Sequence, residues 1–251
     1  MPGASEATRV RVKSAAAELG YNPHQAARML RQSSSRQVGV AFSPGNAAEP
    51  DIVDAIYAAV ESHGLQVVLS ARTRSRSMSR VVDELLSYRC AAIVLISPSL
   101  GDREIRELAA RARVPLATVA MGAANPAYDV VISAGDVGVG LLVEHLVALG
   151  HRETVYVDTP RMPPAALRRA GYLHATKNRG LSSKVLSIQG QDYTEQAGAI
   201  AGRRLLDGPV LPTAVLASND QVAVGVMQVL SRSGVRIPED VSVTGYDDSR
   251  F

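Results

Sequence analysis

Short apolar runs alternate with amphipathic helical segments along most of this 251-residue chain, and that alternation leaves few folds open. The first runs are QVGVAF (37–42), LQVVLSA (65–71), AAIVLIS (91–97), PLATVA (115–120) and DVVIS (129–133). Between the first three lie apolar residues at helical spacing: Ile52, Val53, Ile56, Tyr57 and Val60, then Val81, Val82, Leu85 and Leu86. Strands that are apolar at nearly every position are covered on both faces. Set about 25 residues apart with a helix between, they pair in parallel through right-handed crossovers. A second unit repeats the pattern: helix Leu141–Leu149, strand 154–158, helix from about Ala165 to Lys177, strand 184–188, helix Thr194–Leu206, strand 213–218, helix Gln221–Ser231 and strand 241–245. Gly150 and Gly234 each follow an apolar helical stretch and suit a left-handed position at its end. The pattern therefore predicts an α/β chain with two doubly wound parallel-sheet lobes, 37–133 and 134–251. Ligands of such folds sit in a cleft facing the carboxyl ends of the strands.

Charge sets residues 1–36 apart from this body. They carry Arg9, Arg11, Lys13, Arg28, Arg31 and Arg36 against Glu6 and Glu18, which leaves 21 of the 27 basic and 22 of the 24 acidic residues for 37–251. The net charge of +3 thus resides in the N-terminal arm, as expected of a segment that touches phosphate. Within the arm, Ser5 is a suitable N-cap, and Val12, Ala15, Ala16 and Leu19 share one helical face that ends at Gly20. Asn22 followed by Pro23 starts a second, short helix before the polar linker QSSSR, and a helix of that length is marginal alone in water.

Several function classes fall away. The single cysteine, Cys90, opens an apolar run, so it forms no disulfide framework and reads as a buried thiol. Neither a signal-peptide pattern nor an apolar stretch long enough to span a membrane is present, which predicts a cytoplasmic protein. Gly138 and Gly140 look like part of a dinucleotide loop but lack the third glycine. His145 and His151 do not share a helical face for zinc, and no Gly-x-Ser-x-Gly elbow occurs. The reading is a binding protein with no catalytic residues, metal or cofactor.

The order Val12, Ala16, Leu19, Tyr21, Pro23, Ala27, Arg28, Leu30 and then Gly39 resembles the lactose-repressor family of bacterial transcription regulators. So do VEHLVALGHR (143–152), the Arg-x-x-Gly at Arg168–Gly171 and the stretch PTAVLASNDQVAVGVMQVLSRSGVRIPEDVSVTGYDD (212–248). The resemblance implies a periplasmic-binding-protein-like body preceded by a partial helical DNA-binding headpiece with its hinge helix in residues 1–36. Compared with the family pattern, the helix-turn-helix helices and a C-terminal segment are absent. It further implies a regulator, a repressor by analogy, that binds operator DNA as a homodimer and is controlled by a small-molecule effector, a sugar or related polar metabolite. Asn22, Ala27, Arg28, Leu30 and Arg31 fall at hinge positions, with Leu30 as the side chain that wedges into the minor groove.

In the cleft, the resemblance places Arg168, Tyr193, Asn219 and Asp247 at effector positions. Arg169 competes with Arg168, whose planar fork suits two hydroxyls or a carboxylate. Helix capping is the competing role for Asn219, although Asp220 is the better-placed cap. Ser43 and the loop to Glu49 follow the first strand and Ser97 follows the third, so these can reach the same cleft by topology. Around Ser133, Ala134 and Gly135 the chain lacks the carboxylate or amide common in the family, and three prolines and Met162 crowd the loop from Asp158 to Pro164, so an effector other than a typical hexose is expected. The alternative is a sugar-binding module with no DNA role.

Overall fold

The computed structural model describes residues 5–19, 35–119, 126–160 and 164–249. The chain divides into two compact units, Met1–Arg36 and Gln37–Phe251. In the first, helix α1 spans Glu6–Glu18, and the Ser5 hydroxyl accepts from the Thr8 N–H at 3.3 Å, an N-cap that satisfies one of the free amides of the first turn. Val10, Val12 and Leu19 are exposed. The second helix expected from Asn22 and Pro23, with Ala27, Arg28, Leu30 and Arg31, lies outside the described residues.

The larger unit holds two parallel sheets. The first contains β1 (Gln37–Phe42), β2 (Gln66–Ala71), β3 (Ala92–Ile96), β4 (Leu116–Val119) and β5 (Asp129–Val131) in the order β2-β1-β3-β4-β5. Helices α2 (Glu49–Ser62), α3 (Met78–Ser87) and α4 (Asp102–Ala112) connect its first four strands. One face of this sheet buries Val38, Val40 and Ile96 with Val53 of α2. The other buries Ala41, Ile93 and Leu95 with Val81 and Leu85 of α3 and Ile105 of α4. Alternate residues of each strand thus enter separate cores, which is why the runs are apolar at nearly every position. Cys90 is buried beside Gly39, where an added Cβ would meet its Sγ at 3.1 Å.

The second sheet contains β6 (Thr154–Asp158), β7 (Lys184–Ser187), β8 (Ala214–Ala217) and β9 (Ser242–Thr244) in the order β7-β6-β8-β9. Helices α5 (Gly135–Ala148) and α6 (Ala165–Asn178) cover one face through Val139, Val143 and Tyr172, which share a core with Tyr156 of β6. Helices α7 (Glu195–Leu206) and α8 (Asp220–Arg232) cover the other through Ala197, Ala201 and Val226, which share a core with Val215 of β8. Gly150 and Gly234 have φ of 96° and 84°, the left-handed position that ends α5 and α8.

Three local features differ from the sequence reading. Helix α4 had not been singled out, although Ile105, Leu108 and Ala112 form its buried stripe. Helix α5 starts at Gly135 rather than Leu141, so Gly138 and Gly140 are helical and form no loop for phosphate. The cap of α8 is Asn219 and not Asp220: the Asn219 side chain accepts from the Val222 N–H at 3.0 Å, while Asp220 is the first helical residue and accepts from the Ser249 N–H at 2.7 Å. Among the described residues, no helix is long and apolar enough to cross a membrane.

Candidate ligand-binding cleft

In each sheet the strand order reverses around the central pair, β1 and β3 in one and β6 and β8 in the other. Crossovers diverge at such a point and leave a crevice beyond the carboxyl ends of the strands. Ser43 follows β1, Ser97 follows β3, and Ser218 and Asn219 follow β8. A cavity of about 560 Å³ lies there, bounded by residues of both lobes. Arg168, Tyr193 and Asp247 line it from the second lobe, and Asn46, Ile52 and Ser97 from the first.

Arg168 occupies the floor. Its Nη2 donates to Asp247 Oδ1 at 2.8 Å and its Nη1 to the Ser218 carbonyl at 2.6 Å, with the arginine side chain 6% and the aspartate side chain 12% exposed. The guanidinium lies 3.7 Å from the Tyr246 ring centre and 5.6 Å from that of Tyr193, so aromatic faces support its charge. Gly135 and Gly138 make room for this stack: a Cβ on the first would meet Arg168 Cγ at 3.0 Å, and on the second the Tyr246 ring at 3.0 Å. Arg169 turns away and pairs with the buried Asp158 at 2.8 Å. Burial raises the Asp247 carboxyl, and the Arg168 charge and hydrogen bonds from Arg168 and Asn219 oppose that shift.

Asn219 therefore has a definite role, but it is not among the residues lining the cavity. Its side-chain oxygen caps α8, and the side chain lies near enough to Asp247 to favour the charged carboxylate. Ser43 lines an adjoining recess of about 290 Å³, to which Tyr193 also contributes. Two cavity residues hold a backbone conformation that L-residues rarely adopt, Ser97 at φ 41° and Asp247 at φ 110°. Such strain persists only where surrounding contacts fix it, and here both residues follow strands at the crevice.

Sequence reasoning missed Ser218 and Tyr246, and it placed Gly135 and Glu49 only as a wall position and a loop boundary, without the close packing of the one or the burial of the other. Tyr246 stands within the motif GYDD and gave no separate signal. Glu49 is 1% exposed beneath the first-lobe loop, where it accepts from the Ser43 N–H and from Asn46 Nδ2 at 3.1 Å and hydrogen-bonds Ser97. Desolvation pushes its carboxyl up to about 7, against the opposing pull of those hydrogen bonds and of the Arg72 charge.

That shift has a thermodynamic consequence. The unfolded chain releases the Glu49 proton near the ordinary carboxyl value of 4.5 and the folded chain only near 7, so the folded state holds more protons between them. Stability contributed by this group is full below pH 4.5 and declines as pH rises toward 7, by about 3 kcal/mol in all. Glu49→Gln cannot titrate and is expected to flatten that part of the profile. Urea denaturation of both proteins from pH 4.5 to 8 checks this, and parallel profiles would assign the slope to other groups.

Comparison with known proteins supports a single ancestry for the arm and the body. The periplasmic binding protein-like domain family matches residues 143–251. The lactose operon repressor of Escherichia coli K12 is 34% identical over 249 residues, covering 98% of this chain and 68% of that protein. Among solved structures, a LacI transcriptional regulator from a Rhodococcus species is 40% identical with a TM-score of 0.80, over 85% of this chain and 79% of that one. The lac repressor dimer bound to operator and the anti-inducer ONPF is 32% identical with a TM-score of 0.85, over 98% and 75% respectively. The matches to the lactose operon repressor and to the operator-bound dimer each cover 98% of the chain and so take in both the basic arm and the two-lobed body, and the chain belongs to the LacI family of transcriptional regulators.

Proposed function

We propose that this chain is a transcriptional repressor that binds operator DNA as a homodimer and is controlled by a small, neutral, polyhydroxylated effector held between its lobes. The observation that carries the effector assignment is the Arg168–Asp247 ion pair on the cavity floor. An unpaired arginine would suit a carboxylate as well as a diol. Here the guanidinium already has its counter-ion, so an anionic ligand would be desolvated beside the Asp247 carboxylate with no second cation among the described residues that line the cavity. Vicinal hydroxyls fit better, since each can accept from the arginine or donate to the carboxylate. Ser97, Asn46 and Tyr193 supply further polar groups around the cavity.

The DNA-binding part of the reading rests on the basic arm and on the operator-bound relative. Asn22, Ala27, Arg28, Leu30 and Arg31 are its proposed contacts. Phosphate contact by the arginines gives salt-dependent affinity, and an apolar wedge at Leu30 gives a preference for deformable base steps. The reading assigns no chemical reaction to the cleft.

Titration calorimetry with a panel of neutral mono- and disaccharides and nucleosides, alongside the matching sugar acids, tests the effector class. At least one neutral compound is expected to bind, with its acid analogue at least tenfold weaker, or about 1.4 kcal/mol. Preference for the acids, or no binding by any member, overturns the assignment.

A further inference from the structure

At the edge of the cavity one side chain reaches from the second lobe to the first. Gln221, in the first turn of α8, accepts from the Ala47 N–H through Oε1 at 3.1 Å and donates from Nε2 to the Gly45 carbonyl at 3.2 Å. A carboxamide offers a donor and an acceptor on adjacent atoms, so it can pair with a backbone C=O and N–H at once. Glutamate lacks the donor, and methionine, of similar length, lacks both functions. The pairing therefore depends on this residue type and not on side-chain bulk.

Each end of the clasp is tied to groups that line the cavity. On the first-lobe side, the loop of residues 43–48 carries Asn46 and Ala48 into the lining. It is held from below by Glu49, which takes hydrogen bonds from the Ser43 N–H and the Asn46 amide, and internally by the Ala48 N–H donating to Asn46 Oδ1 at 3.2 Å. On the second-lobe side, Gln221 follows directly on Asp220, whose N–H donates to the Tyr246 carbonyl at 2.9 Å and whose carboxylate accepts from the Ser249 N–H at 2.7 Å, so the start of α8 holds the chain on both sides of Asp247. Movement of the first-lobe loop is thus passed by two hydrogen bonds to the helix start that fixes Tyr246 and Asp247.

We propose that Gln221 is an interlobe clasp, a positioning residue that sets the angle between the lobes and so the width of the cleft presented to a ligand. It deepens the effector reading by naming how the arrangement of that same site is controlled. Because both hydrogen bonds are partly exposed, losing them shifts the balance between lobe arrangements by roughly tenfold. A shift of that size leaves both lobes folded but populates other cleft widths.

The test needs no ligand, so its result is independent of which effector binds. Nitroxide labels on Glu61→Cys in α2 and Arg203→Cys in α7, both exposed positions, report the distance between lobes by pulsed electron resonance. With Gln221 intact a single narrow distribution is expected. Gln221→Met is expected to broaden it and add longer distances. Gln221→Glu keeps the Ala47 contact alone and is expected to fall between, and Gln228→Met, on an exposed turn of the same helix, to match the parent. Distributions for Gln221→Met and Gln221→Glu that superimpose on the parent overturn the clasp. Equal broadening by Gln228→Met would also overturn it, by showing a general loosening of the helix.

Discussion

Arg168→Ala is expected to lower the unfolding free energy by about 3–5 kcal/mol and to abolish effector binding, the largest effect of any single change at the cleft. The loss does not measure the strength of an ion pair in isolation. Truncation leaves the Asp247 carboxylate, 12% exposed, without its counter-ion, leaves the Ser218 carbonyl without its donor and empties the space over the Tyr246 ring. Replacing both charges by apolar groups removes most of that penalty, because no orphaned charge then remains. The double substitution Arg168→Met with Asp247→Leu is therefore expected to recover at least half of the lost stability while still failing to bind. Equilibrium urea unfolding of the three variants decides the matter. Arg168→Ala within 1 kcal/mol of the parent would mean that the pair is far better hydrated than its burial indicates.

That pair also shows how far a sequence can be read. Arg168 was accessible through the Arg-x-x-Gly pattern and Asp247 through GYDD, but their pairing joins residues 79 apart and only the tertiary fold brings them together. The strands were legible because parallel strands covered on both faces are apolar throughout: β6 was expected at 154–158 and spans Thr154–Asp158. The start of α5 was not, because its first turns are glycine-rich and glycine is a poor helix former. Two of those glycines, Gly135 and Gly138, answer a demand from elsewhere, namely the room needed by Arg168 and Tyr246. Local propensity was overridden by packing against a residue more than a hundred positions away in the case of Gly138 and Tyr246.

Glu49 was illegible for a different reason. An acidic residue followed by proline in the first turn of a helix is an ordinary start signal that favours an exposed side chain. Only the fold shows this carboxylate enclosed by Ser43, Asn46 and Ser97. Asn219 illustrates the intermediate case. Of its two candidate roles, the structure gives the cap of α8, and the side chain stands behind the cavity wall rather than in its lining. The hinge residues Asn22, Ala27, Arg28, Leu30 and Arg31 stand as proposals of the family resemblance.

Gly225→Val is expected to destabilise the second lobe by about 3 kcal/mol, at the upper end of overpacking effects, and to disturb the clasp as well. Helices α7 and α8 meet backbone to backbone: a Cβ on Gly225 would lie 2.0 Å from the Glu195 carbonyl oxygen, and one on Gly198 would lie 2.0 Å from that of Val222. No side-chain adjustment relieves a contact with backbone, so the helices must separate. Even Gly225→Ala should destabilise, although alanine gains about 1 kcal/mol in helix propensity. Displacement of α8 carries with it Asn219 and Gln221, at whose end the Asp247 and Gly45 contacts are made. Gly140 provides the contrast, being helical with nothing within 4 Å of an added Cβ. There alanine meets no obstacle and Gly140→Ala is expected to stabilise by about 0.5–1 kcal/mol. Calorimetric melting of the variants should therefore give shifts of opposite sign, downward for Gly225→Ala and further for Gly225→Val, upward for Gly140→Ala. A rise in melting temperature for Gly225→Ala would show that α7 and α8 do not pack this closely.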